Sequence, residues 1–325
     1  MANLVEINQI GKREDLRDFI SIVDMKEKPL LGMLPQLESP GNMTISWQAD
    51  KYATPILTGV ADGEDVGNFE NVAKDRAALS VYAQKVRRTA MVGDIAENVS
   101  NVAGAKAGEL ARALEKQQEV IQRDIEAILG SDNDTQLETG SLTPYETRGL
   151  GSWIASSAQT VLPVPAAFLT PSASIRADAA SSTTEAEFNG VLASVFAEYG
   201  KRQTLDLVIG TDGKTMISAY VGAAQTQYNL SGANKVVQNV TTYEGDFNTV
   251  QIHSTLLNAM NSSTANVKEG RGYLIPSETF GVAWSRTPRV KPLEDQGGGP
   301  RAYIDAIFAC ICRNPRASGK LAPTS

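Results

Sequence analysis

The sequence predicts an α+β protein of two lobes, and three observations predict it. One long segment, Gly104–Ser131, keeps a clean helical period. A later segment starting at Thr183 reads helix, strand, helix and then strands. Elsewhere lie short runs that alternate apolar and polar residues, or are apolar on both faces, as strands are. With 325 residues and 42% hydrophobic content, the chain is long enough to bury a substantial core.

Taken in order, residues 1–41 read as an arm. Arg13–Phe19 suits a short helix and Ile20–Met25 an extended or helical stretch, before Pro29, Gly32, Pro35, Pro40 and Gly41 interrupt the chain. Such a segment cannot form its own core and must lie against something else. Met43–Lys51 is a strand, with Met43, Ile45, Trp47 and Ala49 on one face. A second extended run is Arg76–Met91. The connection between them is far longer than a hairpin needs and carries Asp62, Glu64, Asp65 and Glu70. Either it is an acidic surface loop or it is a two-stranded projection, and a lone ribbon needs a partner surface to stay ordered.

The helical segment follows Val92–Val102. Ala107, Leu110, Ala111, Leu114, Ile121, Ile125, Ile128 and Leu129 form its apolar stripe. Glu109, Arg112, Glu115, Lys116, Glu119, Arg123 and Glu126 form its polar face, and Gly130 ends it. If 104–129 is all helical, the rod is roughly 39 Å long. Arg148–Ile154 is a turn with Trp153 as an anchor, and 155–184 reads as a surface excursion or linker. Thr184 and Glu187 form a capping-box pattern ahead of the stripe Phe188, Val191, Leu192, Val195, Phe196. Leu205–Ile209 is a strand and Gly213–Val221 a helix. Lys235–Tyr243, Phe247–Leu257, Gly272–Ile275 and Thr279–Ser285 are strand-like. Val290–Pro292 and Tyr303–Arg313 return as strands, and the polar tail is expected to fray.

Composition and motifs then exclude classes of chemistry. A net charge of −7 argues against a sequence-independent nucleic-acid binder. No apolar run is long enough for a membrane span, and the N-terminus lacks a signal-peptide core. Cys310 and Cys312, the chain's two cysteines, read as reduced packing residues. Asp132 and Asp134 begin like a calcium loop, but Thr143 stands where the loop needs Glu. Val208–Thr215 resembles a phosphate loop without its first glycine, so it reads as a strand-to-helix turn. One histidine, His253, cannot supply a zinc site with two distant cysteines, and no Gly-x-Ser-x-Gly elbow occurs. No catalytic, cofactor or metal residues are expected, and the chain reads as no enzyme.

With chemistry excluded, the order of parts carries the reading: arm, strand, acidic projection, strand, long helix, α+β lobe, returning strands. This order resembles the major capsid proteins of tailed double-stranded-DNA bacteriophages, the Hong Kong 97-type fold. The likeness is most specific over Lys85–Ile128, KVRRTAMVGDIAENVS followed by ELARALEKQQEVIQRDIEAIL, with a second echo in VQIHSTLLNAM and RGYLIPSETFGVAWSR.

The resemblance implies an N-terminal arm (1–41) and a peripheral-lobe strand with an extended loop (42–91). It then implies a peripheral lobe with a spine helix (92–184), an axial lobe (185–288), and returning peripheral strands with a tail (289–325). It further implies a structural subunit of an icosahedral head, forming pentamers and hexamers around the DNA genome, located in the virion and assembled in the host cytoplasm. Scaffold, portal and cement proteins would be separate chains. Lys74 lies in the loop, but no particular Asn pairs with it, so no cross-link is expected. The acidic Asp62, Glu64, Asp65 and Glu70 are expected to face basic residues of a neighbouring copy, with Arg87, Arg88, Arg112 and Lys116 as candidates. The shell of an encapsulin-like nanocompartment, a tail or adhesion protein, and a soluble enzyme with an unrecognised site are the other readings the sequence leaves open.

Overall fold

The computed structural model describes residues 27–67, 69–98, 108–140, 142–176, 183–224, 240–255 and 272–321. The expected segments Arg13–Phe19 and Ile20–Met25, the first residues of the long helix, and most of Lys235–Tyr243 lie outside them. No described helix is long and apolar enough to cross a membrane.

One part of the chain is a four-stranded sheet lying on one long helix. Its strands are β1 (Gln36–Leu37), β4 (Gln84–Met91), β10 (Phe280–Leu293) and β11 (Arg301–Cys312), in the order β1-β10-β11-β4. The helix α3 (Glu109–Leu129) spans about 32 Å at 1.5 Å per residue. Ile121, Ile125 and Leu129 are fully buried and share one core with Ile304, Ala306 and Phe308 of β11. β11 is buried along nearly its whole length, as its two-faced apolar pattern requires. Cys310 and Cys312 are free and buried, and burial pushes the Cys310 thiol up to about 12, so neither is a reactive thiolate.

Four expectations are corrected here. The run Arg76–Met91 is two strands rather than one. β3 (Ala77–Tyr82) pairs with β2 (Thr44–Ala49), whereas β4 pairs with β11, and Ala83 marks the transfer from one sheet to the other. Residues 155–176 are not a surface excursion: Val164, Phe168, Thr170 and Ser174 are buried, because the chain folds back over Trp153. Glu126, assigned to the polar face of the long helix, is fully buried. The described part of the tail, up to Leu321, is ordered against the body. Its Gly319–Leu321 forms β12, and Ala317, Ser318 and Leu321 are buried.

The second core belongs to a six-stranded mixed sheet. Its order is β5 (Ile175–Arg176), β12, β9 (Gly272–Pro276), β6 (Thr204–Ile209), β8 (Thr249–Ser254), β7 (Thr242–Glu244). Helix α5 (Glu185–Tyr199) starts with the expected box: Thr184 Oγ1 accepts the Glu187 N–H, and Glu187 accepts the Thr184 N–H in return. Phe188, Val191, Leu192 and Val195 then face Leu205, Leu207 and Ile209 of the sheet. The turn after β6 leads into α6 (Thr211–Ala224), the strand-to-helix passage expected for Val208–Thr215. The two cores are joined by Tyr273, whose hydroxyl donates to Gly130 O at 2.9 Å, and by Lys320, whose ammonium reaches Asp132 at 2.7 Å.

Candidate subunit interface

The long connection is a projection built on the hairpin β2–β3. Register runs from Thr44 opposite Tyr82 to Ala49 opposite Ala77. One face of this ribbon is anchored: Leu79 and Val81 are buried, and the Trp47 ring lies 5.7 Å from that of Trp153. Trp153 is itself fixed, since its Nε1–H donates to Cys310 O and the Arg148 guanidinium covers its ring at 4.6 Å. Beyond the ribbon the chain leaves the body. Arg76 closes the base by donating to Asp50 at 3.1 Å. A turn at Ala61–Glu64, with Gly63 at φ +84°, forms the tip.

The described residues from Lys51 to Lys74 are all exposed. They include large apolar side chains: Leu57 is 97% and Phe69 90% exposed, and Ile56, Val60, Val66 and Val72 are exposed as well. Such a concentration of exposed apolar side chains marks a binding segment. Asp62, Glu64, Asp65 and Glu70 are interspersed among them and make no ion pair among the described residues. The structure therefore brings all four acidic residues of the expected site onto one solvated arm.

The four basic candidates are not brought together. Arg88 is turned inward and grips Asp124 of α3 through two hydrogen bonds. Arg112 is paired to Glu115 one turn on along the same helix. Lys116 is exposed on α3. Arg87 points to the other side of the sheet, with its guanidinium over the Tyr303 ring at 4.9 Å. Strand alternation decides this split, since neighbours on β4 face opposite ways.

Glu126 is a buried side chain at the contact between the leading segment and α3 that sequence reasoning missed. The short helix α1 (Pro29–Met33) of the arm sits against α3, and the Glu126 carboxylate accepts the N–H groups of Leu30 at 2.8 Å and Leu31 at 2.7 Å. Beside it, Lys28 Nζ reaches Glu119 at 2.5 Å and Gln122 at 2.8 Å. Desolvation raises the Glu126 carboxyl to about 7, opposed by the two amides and by Lys28. Its one signal in the sequence is its position at i+5 from Ile121 and i+1 from Ile125, at the edge of the apolar stripe.

The sequence matches the SU10 major capsid protein family over residues 3–325. The chain belongs to that family. No curated protein matches the sequence. Solved capsid structures of the same shape include the cyanophage A-1(L) capsid asymmetric unit, with a TM-score of 0.66 at 12% identity, covering 98% of each chain. A structure from Mycobacterium phage Bobi gives 0.58 at 12% identity over 100% of both chains. The capsid of a native GTA particle gives 0.59 at 10% identity, over 98% of this chain and 97% of its own. At such identities the likeness establishes the fold, the Hong Kong 97-type capsid fold.

As a major capsid protein, the chain is a structural subunit of an icosahedral phage head, one of many copies in a self-assembled shell, and not an enzyme. That status gives the exposed arm its context. An apolar and acidic projection that would be a liability on a monomer is usable where each subunit meets others in a fixed geometry.

Proposed function

We propose that the projection between Ala49 and Ala77 is the arm by which each subunit grips an adjoining copy, closing rings of five and six that build the head around double-stranded DNA. The observation that supports this is the exposure of Leu57, Val60 and Phe69 beside the exposed carboxylates of Asp62, Glu64, Asp65 and Glu70, on a ribbon anchored at its base by Trp47. Repeating one heterologous contact around an axis closes a ring. The apolar residues provide affinity on burial, roughly 1.5–3 kcal/mol for each large side chain fully covered. The carboxylates set register and suppress wrong contacts. In this reading residues 1–41 are the N-terminal arm, and residues 185–288 form the axial lobe. Scaffold, portal and cement proteins are further partners of the shell, and assembly takes place in the host cytoplasm.

The test is charge reversal at Asp62, Glu64 and Asp65 together, followed by electron microscopy of the expressed protein. The variant is expected to give unassembled or mis-sized subunits that melt like wild type. Normal particles from the triple variant would remove the role given to the carboxylates.

A further inference from the structure

The sheet of β1, β10, β11 and β4 ends on two different kinds of edge. β4 forms one edge, pairs only with β11 among the described residues, and carries no proline. The other edge is β10 from Trp284 to Leu293. β1 covers β10 only at Val282 and Ala283, and among the described residues no strand lies outside β10 beyond them. Register shifts between Trp284 and Arg286, and between Arg286 and Arg289, each give β10 one residue more than β11, so the strand bulges twice. Pro288 lies in the second bulge and Pro292 beyond it, in register with Ala302. A proline paired within a sheet places its missing N–H away from the partner strand, here outward. Val290, two residues earlier, keeps an outward N–H, and Pro288 before it has none to offer. Without the prolines this edge would attract a strand. A cavity of about 200 Å³ opens beside it between α1, α3 and β10, lined by Leu31, Leu34, Ile125, Val282, Trp284 and Pro288. Val290 and Leu293 are about half exposed. Nearby cations do not shield the edge, since Arg286 and Arg289 lean onto Asp305 of their own sheet at 2.6 and 3.6 Å.

We propose that Pro288 and Pro292 keep the β10 edge closed to a second copy of this chain, so that subunits do not add sheet to sheet outside the shell. An open edge strand is a template for such pairing, and prolines and bulges block it. Closing one edge is enough, because of how copies would add. Two copies can meet through β4 and β4, through β10 and β10, or through β4 and β10. The first is isologous and stops at a dimer. The last is heterologous: each added copy presents a fresh edge to the next, and the sheet grows without closing. Alternating the first two modes grows as well. Every mode that grows uses β10, so a guard on that strand alone removes them all. For a subunit that must gather in many copies and still form a closed shell, an edge of this kind is the hazard to exclude. The inference is independent of what the arm between Ala49 and Ala77 grips.

The experiment replaces both prolines with a strand former, Pro288→Thr with Pro292→Thr, in the full chain. Purified subunits are followed by sedimentation velocity, electron microscopy and hydrogen exchange. The melting temperature should fall by no more than the small unfolded-state entropy that two prolines remove. The associated fraction at fixed concentration should rise about tenfold, as two ladder donors per copy are restored. Micrographs should show open-ended ribbons, and the yield of closed particles should drop. In the associated fraction alone, peptides covering residues 286–293 and 84–91 should gain protection. Adding Val290→Lys, a charge beside the remaining outward donor, should restore particles. Pro292→Thr by itself changes only an exposed position and should shift association the same way, so the test stands if the double variant folds poorly. Single and double variants that stay unassociated and give normal particles would overturn the proposal. Association protected elsewhere than residues 286–293 would overturn it as well, and would assign the effect to misfolding. Dimers protected at 286–293 but not at 84–91 would overturn the growth through β4.

Discussion

The hold of the N-terminal arm on the spine helix should weaken as pH rises, and Glu126→Gln isolates the cause. Docked, the Glu126 carboxyl is fully buried and accepts the Leu30 and Leu31 N–H groups. Desolvation raises it from 4.5 to about 7 despite those bonds. Undocking returns it to water and to its ordinary value. Between the two values the docked state keeps a proton that the undocked state has lost. Docking is therefore strongest below 4.5 and declines until the pH passes about 7. A shift of that size corresponds to about 3 kcal/mol across the window. The Gln variant is neutral at every pH and has one acceptor oxygen for two amides. It should be weaker than wild type by about 1–3 kcal/mol near pH 5, the cost of an unpaired buried amide. Near pH 8 that gap should close, because wild type has by then lost its own proton-linked advantage. Hydrogen exchange of the peptide spanning residues 27–34, corrected for intrinsic rates, reads the difference directly. Wild-type protection that stays level across this range, or a Gln variant that follows wild type at every pH, would refute the reasoning.

The remaining predictions concern stability, each read as a melting-temperature shift. Gly149→Ala would place a Cβ 2.2 Å from the Ser131 carbonyl oxygen, so backbone must move; a loss of about 3 kcal/mol is expected, at the upper end for overpacking. Trp153→Ala empties a fully buried site shared with Trp47, Arg148 and Cys310 and should cost about 3–5 kcal/mol, with the extended arm losing its anchor as well. Thr184→Ala removes one half of the α5 capping box and should cost about 1 kcal/mol, leaving particle shape unchanged.

Much of the architecture was legible because its signals are local. The spine helix, the Thr184–Glu187 box, the strand Thr44–Ala49 and the two-faced burial of Arg301–Cys312 all follow from side-chain period and capping chemistry. What escaped depends on pairing partners distant in sequence. Ala83 looks like any residue of an extended run, yet its neighbours join different sheets. Glu126 reads as solvated until the arm helix is placed over it. Leu321 reads as tail until β12 finds β9 and β5. The interface shows the same division. The acidic arm was visible as composition, whereas the anchored face of its ribbon, with Leu79 and Val81 buried, needed the pairing of β2 with β3. Strand period puts Arg87 and Arg88 on opposite faces, but only the packing of α3 shows that Arg88 is the one that meets Asp124 while Arg87 covers Tyr303.

Cryo-electron microscopy of particles formed by the expressed chain tests the central claim most directly. The arm from Asp50 to Arg76 should be traced across to an adjoining subunit in every ring. Density showing that arm folded back on its own subunit, or a preparation that stays monomeric under assembly conditions, would contradict it.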